Sequence, residues 1–268
     1  MYGFDEFELY VDDYNIEDTR EDLDRIVKYF QSMDYYDLAC DLHFPKWRDL
    51  PIEVAKLSDC FFVDEETEPA SLPEWMQAAP LGFVKGKSIP MWGRMCFPVK
   101  DVLGHTMGFV GWDPTVEKED KAPKYLDSKN YGYKAKSTTL YGMEMLPEYY
   151  RSKEPVFVTE GLMCTLYLRL NGFQALSSLG SYLTPYVIQI LKRFGSRLVM
   201  VPDNDETGDK YVRQCKRALP KSLIVQCAYG KDIEGCRKEN NHAYEQDLLK
   251  DLKSLSNPFA RTKILIRR

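Results

Sequence analysis

Between residues 155 and 227 short apolar runs alternate with segments of helical length, and that alternation leaves few folds open. Residues 155–159 (PVFVT) read as a strand, 162–171 (LMCTLYLRLN) as an apolar helix and 173–177 as a second strand. A helix over 183–194 starts with Pro185 in its first turn, a strand covers 197–201, a helix 207–218 and a last strand 223–227. A βαβαβαβ order requires right-handed crossovers, hence a parallel sheet flanked by helices. In such sheets ligands sit at the carboxyl ends of the strands.

Acidic residues gather at those ends. Glu160-Gly161 closes the first strand, Asp203-Asn204-Asp205-Glu206-Thr207-Gly208 the third, and Lys231-Asp232-Ile233-Glu234 follows the fourth. Asp203 and Asp205 taken alone read equally well as caps of the helix at 207–218. Three clusters on strand ends of one sheet favour a cation, and carboxylate oxygens suit Mg²⁺ or Mn²⁺ rather than zinc.

The formal net charge of -5 argues against a nucleic-acid partner only until it is divided. Residues 1–70 carry 20 acidic and 6 basic side chains, whereas the remainder carries 21 acidic and 30 basic, a net of +9. The chain reads as an acidic, mostly helical front (1–75), a basic α+β segment (76–150), the strand–helix region (151–250) and a basic tail (251–268). In the front, Ile16, Leu23, Ile26, Val27, Phe30 and Met33 predict an amphipathic helix within 16–40, while 64–75 (DEETEPASLPEW) predicts a loop.

No apolar run is long enough to span a bilayer, and MYGFDEFELY has acids where a signal peptide has bases, so no membrane partner is expected. Seven cysteines without a CxxC pair do not form a disulfide framework, which fits a reducing cytoplasm. Cys40 and His43 predict a half-buried thiol and a surface imidazole rather than zinc. With three His in all, nothing points to a His-based nucleophilic catalyst.

Upstream, residues 92–112 (WGRMCFPVKDVLGHTMGFVGW) predict a hairpin turning at 101–104. Residues 113–137 interleave Lys118, Lys121, Lys124, Lys129, Lys134 and Lys136 with Tyr125, Tyr131 and Tyr133, a mixture suited to phosphates and bases. On charge alone a solvated loop is the weightier reading. The final Arg261, Lys263, Arg267 and Arg268 read either as a nucleic-acid contact or as an unstructured tail.

Glu160-Gly161 and the DxDxxG of Asp203, Asp205 and Gly208 resemble the two motifs of the TOPRIM fold, shared by DnaG-type primases, topoisomerases, OLD-type nucleases and RecR-like proteins. RMCFPVKDVLG (94–104) followed by GFVG (108–111) resembles the strand pair of DnaG-type primases. PKYLDS (123–128) resembles their PKYLNS, KSTTLYG (136–142) their K-xxx-LYG, SLGSYLT (178–184) their SLG(T)xLT, and Lys231-Asp232-Ile233-Glu234 their KDPD. The resemblance runs over about residues 90–236 and implies a primase catalytic core: a TOPRIM domain preceded by a mixed α+β subdomain. The family's EGYMD departs to EGLMC, so Cys164 replaces an acid; Asp127 replaces an Asn, and Ile233 replaces the Pro of KDPD.

The resemblance implies that Asp203, Asp205 and Asp232 hold a divalent metal, Mg²⁺ or Mn²⁺, with Glu234 auxiliary and Glu160 a ligand or general base. It further implies that Arg94, Lys124, Lys136 and the Asp127 segment bind the triphosphate or template, and that Gly161 and Gly208 allow close backbone approach. The implied reaction is template-directed synthesis of RNA primers from NTPs on single-stranded DNA, with template selection and helicase coupling expected from a separate zinc-ribbon or replicative-helicase chain. The alternatives are a metal-dependent TOPRIM nuclease using the same acids, and a non-catalytic binding subunit whose site is decaying at Cys164.

Overall fold

The computed structural model describes residues 16–77, 83–116, 122–128, 138–226, 231–233 and 245–255, with side chains from residue 20 onward except 46–48 and 245. Two four-stranded sheets organise these residues. The first is antiparallel in the order β1 (Phe61–Val63), β2 (Arg94–Lys100), β3 (Thr106–Trp112), β4 (Tyr125–Asp127). Its central hairpin pairs Cys96 with Gly111 and Pro98 with Phe109, and the register shifts at Val99/Lys100 beside the turn. That turn closes as expected: the Asp101 carboxylate accepts from the Leu103 and His105 amides, and Gly104 takes φ +90°.

The acidic front builds part of this sheet. Helix α1 (Ile16–Gln31) buries Leu23, Ile26, Val27 and Phe30 across β1 and β3. The Phe30 and Phe61 rings stack at 5.6 Å, and Phe61 meets Phe109 edge-on at 5.0 Å. The amphipathic helix expected within 16–40 ends at Gln31, and after a turn at 32–35 α2 (Tyr36–Asp41) runs into a π-helical turn, Leu42–Arg48. His43 is buried, contrary to expectation. Its Nδ1 lies 2.8 Å from the Ala39 carbonyl and its ring packs between Phe62 and Trp112. The stretch 64–75 is not a plain loop: it contains a 3-10 turn at Pro69–Ser71 and the start of α4 (Glu74–Gln77). Truncation at residue 70 removes α1 and β1, and is expected to abolish cooperative thermal unfolding of the remainder, followed by circular dichroism.

The second sheet is wholly parallel, in the order β6 (Gln174–Ser177), β5 (Val156–Thr159), β7 (Leu198–Val201), β8 (Leu223–Ile224). Its strands match the expected apolar runs to within a few residues. The connecting helices are α6 (Leu162–Leu170), α7 (Pro185–Lys192, capped by Thr184) and α8 (Glu206–Ala218). Residues 162–168 of α6 are buried on every side because the helix lies between this sheet and α3 (Glu53–Ser58). The chain enters the sheet through a 3-10 turn and α5 (Leu146–Arg151), and α9 (Glu245–Ser254) adds Leu249 and Leu252, with Leu255 just after it, to the shared core. Among the described residues no helix is long and apolar enough to cross a membrane.

The LYG sequence is a structural joint. Tyr141 exchanges both backbone hydrogen bonds with Ser177, 2.8 and 3.1 Å, so this segment extends the β6 edge. Gly142 has φ +94°, and a Cβ there would lie 1.9 Å from Arg169 Nη2. Arg169 in turn donates to the Ala175 carbonyl at 2.9 Å and faces Glu144 at 3.7 Å.

Candidate active site

The connections leave β5 toward β6 and β7 toward β8, so the adjacent carboxyl ends of β5 and β7 form the switch point of the sheet. Glu160 follows β5, and Asp203 and Asp205 follow β7. The Asp203 amide donates to Glu160 Oε1 at 3.0 Å, which joins the two strand ends directly. Asp205 is the N-cap of α8: its Oδ1 accepts from the Thr207 and Gly208 amides at 3.0 and 2.9 Å. The capping reading is therefore correct for Asp205 but not for Asp203, whose side chain turns to Lys231. Lys231 Nζ stands 3.4 Å from Asp203 Oδ2 and 3.3 Å from Asp205 Oδ2. The backbone amide of Asn204 donates to the Lys231 carbonyl at 2.5 Å, fixing the segment that bears Asp232 beside the others.

Burial pushes the Glu160 carboxyl up to about 7, against the Asp203 amide that lowers it, with Asp203 and Asp205 raising it further. Burial and then the charge of Asp232 raise Asp203. The Gly208 amide holds Asp205 below the usual carboxylate range. These carboxylates are chemically suited to a hard divalent ion, and a positive charge already stands between two of them. Among the described residues no three such groups are drawn close enough to hold one ion.

In the metal-free protein Glu160 destabilises the fold when ionised. Its contribution is favourable below the ordinary value of 4.5 and is lost as pH rises through about 7. With a chelator present, Glu160→Gln is expected to flatten the fall in melting temperature between about pH 5 and about pH 8.

Of the residues that hold Glu160 in place, Ser178 and Gly180 belong to the SLGSYLT segment noted from sequence, without a role assigned there, whereas Ser177 and Tyr211 were not singled out. Its carbonyl accepts from Gly180 N at 3.1 Å and Ser177 Oγ at 3.0 Å. Ser178 bonds the Thr159 carbonyl through its amide, 3.0 Å, and its hydroxyl, 3.2 Å, and receives the buried Tyr211 hydroxyl at 3.2 Å. The SLG segment thus buttresses Glu160 from the next strand; two hydroxyls before a glycine at a strand end were the available signal.

Arg94 and Lys124 meet on the antiparallel sheet. Arg94 is only 6% exposed, packs against Gly111, and donates to the Lys124 carbonyl at 3.3 Å. Its position holds the segment 122–128 on the sheet, whereas the Lys124 side chain is exposed. Asp127 pairs with Val110 in β4, and Ser128 clamps β3 by exchanging hydrogen bonds with Phe109. Lys136 and Glu234 lie outside the described residues. Cys164 is buried in the first turn of α6 and forms no disulfide.

A family model described as Toprim-like matches residues 157–235, and one described as DNA primase catalytic core, N-terminal domain, matches residues 86–146. The chain carries a DnaG-type primase core with a TOPRIM domain. The DNA primase of Legionella pneumophila is 31% identical over 131 residues, covering 48% of this chain and 22% of that one. The DNA primase of Deinococcus radiodurans is 33% identical over 120 residues, 44% and 20% of the two chains. These matches therefore span about a fifth of the relatives' length. Among solved structures, the RNA polymerase domain of Mycobacterium tuberculosis primase DnaG is similar at TM-score 0.68 and 18% identity, covering 88% of this chain and 84% of that one. A DnaG primase catalytic domain bound to ssDNA is similar at TM-score 0.67 and 21% identity, over 92% and 87%. The primase-type TOPRIM domain implies dependence on a divalent metal.

Proposed function

We propose that this chain synthesises short RNA primers on a single-stranded DNA template by metal-dependent nucleotidyl transfer. The observation that carries the reading is the meeting of Glu160, Asp203 and Asp205 at the β5–β7 switch point, within a core built like those of DnaG primases. Asp203, Asp205 and Asp232 would hold Mg²⁺ or Mn²⁺, with Glu234 auxiliary. When bound, the metal supplies charge neutralisation at the α-phosphate and the departing pyrophosphate and lowers the pKa of the primer 3′-hydroxyl. Glu160, fixed by the Asp203 amide, serves as ligand or accepts the proton that the 3′-hydroxyl loses as it attacks. The exposed ammonium of Lys124, with Lys136 and the Asp127 segment, would bind the triphosphate or template.

Single-stranded DNA is the template in this reading, as one similar structure holds such a strand. A zinc-ribbon chain and a replicative helicase are the proposed partners, supplying template selection and coupling. The test is incubation of the purified chain with single-stranded DNA, NTPs and Mg²⁺ or Mn²⁺, alone and with a zinc-ribbon partner. Oligoribonucleotides lost in Asp205→Ala support the reading; cleavage of nucleic acid without synthesis in either mixture overturns it.

A further inference from the structure

Lys231 stands where a cation is needed. Asp203 and Asp205 belong to one short loop, Asp232 raises the charge density beside them, and like-charged carboxylates at this spacing repel unless a positive charge lies between them. In the structure that charge is Lys231 Nζ, 3.4 Å from Asp203 Oδ2 and 3.3 Å from Asp205 Oδ2. The two carboxylates it touches are those assigned above to the metal.

We propose that Lys231 is a resident counter-cation that a divalent ion must displace, so that the lysine sets how tightly the site binds metal. The inference rests on the metal-dependent reading of the site. The Lys231 backbone is tied to the Asp203–Asp205 loop through Asn204 N, so the ammonium cannot drift far from the acids. Its side chain is 61% exposed, so it can swing into water without opening the core. A monocation on a flexible stem holds the carboxylates together weakly, and two partly exposed ion pairs impose a small penalty on the incoming ion. The result is a metal-free site held ready without a rigid cage, which agrees with the absence of a closed three-carboxylate cluster among the described residues.

The prediction has an unusual sign. A lysine that merely supported the loop would weaken metal binding when removed; a competing cation strengthens it. Mn²⁺ binding to the full chain, measured by titration calorimetry and by the loss of the free-ion electron paramagnetic resonance signal, is expected to be roughly three- to tenfold tighter in Lys231→Met than in wild type. Lys231→Arg keeps the charge and is expected to stay within roughly twofold of wild type. Without metal, Lys231→Met should melt below wild type, and added Mn²⁺ should raise its melting temperature by more than it raises that of wild type. If wild type binds Mn²⁺ but Lys231→Met binds it no more tightly, the counter-cation role is overturned and the metal site stands. If neither wild type nor Lys231→Met binds Mn²⁺, the metal-dependent reading itself falls.

Discussion

Asp203→Asn is expected to lower primer synthesis by roughly 10³-fold while leaving the melting temperature within a few degrees of wild type, as read by oligoribonucleotide yield and a thermal melt. The substitution keeps the side-chain shape and leaves untouched the backbone amide that donates to Glu160. It removes one negative charge at the point where the reading requires a cation. Loss of metal-borne charge stabilisation is worth several kcal/mol, and about 1.4 kcal/mol corresponds to a decade of rate. Stability responds differently because burial and the charge of Asp232 disfavour ionised Asp203. Neutralising it relieves that repulsion and offsets the weakened contact with Lys231. Activity that survives Asp203→Asn within tenfold of wild type would remove the carboxylate from the chemistry.

The parallel sheet was legible because its two central strands bury both faces and so read as unbroken apolar runs: Val156, Phe157, Val158 and Leu198–Val201 are all buried. The acids were legible because a carboxylate after such a run has no packing reason to be there. What sequence spacing could not show is direction. The burial of Arg94, expected to grip triphosphate or template, is one such case: a strand-borne arginine carries no mark of burial in sequence, and here it lies against Gly111 and donates to the Lys124 carbonyl. His43 read as exposed because a lone histidine carries no sign of the Phe62 and Trp112 rings, distant in sequence, that bury it. In residues 1–70 the apolar stripe of α1 was legible, but the three-residue strand β1 was not, and the two together tie that region into the first sheet. Ser177 and Tyr211 escaped notice, and Ser178 was quoted only as part of a motif, because their roles depend on hydrogen bonds between neighbouring elements, which have no periodicity in sequence.

Gly208→Ala is expected to be the most damaging single-methyl change at the site, and Gly161→Ala its contrast. Both glycines follow strand ends and both were expected to allow close backbone approach, but only one does. A Cβ on Gly208 would lie 1.8 Å from the Asp203 carbonyl oxygen and 2.8 Å from its carbonyl carbon, atoms that cannot turn aside as a side chain can. The α8 N-terminus must therefore back away from the loop, disturbing the Gly208 amide that caps onto Asp205 at 2.9 Å and the spacing of Asp205 from Asp203 together. Overpacking of this kind costs about 3 kcal/mol, or about 6–12 °C in melting temperature. Primer synthesis should fall by roughly 10²-fold or more, since both acids move. Gly161 has φ -97° and open space where a Cβ would go, so alanine there loses only part of a good N-cap, within about 1 kcal/mol. Equal effects of the two substitutions on melting and on activity would show that the Asp203–Gly208 contact does not set the site geometry. A large loss confined to Gly208→Ala would identify this glycine as the position that lets the helix start close enough for Asp205 to cap it while Asp203 remains beside Glu160.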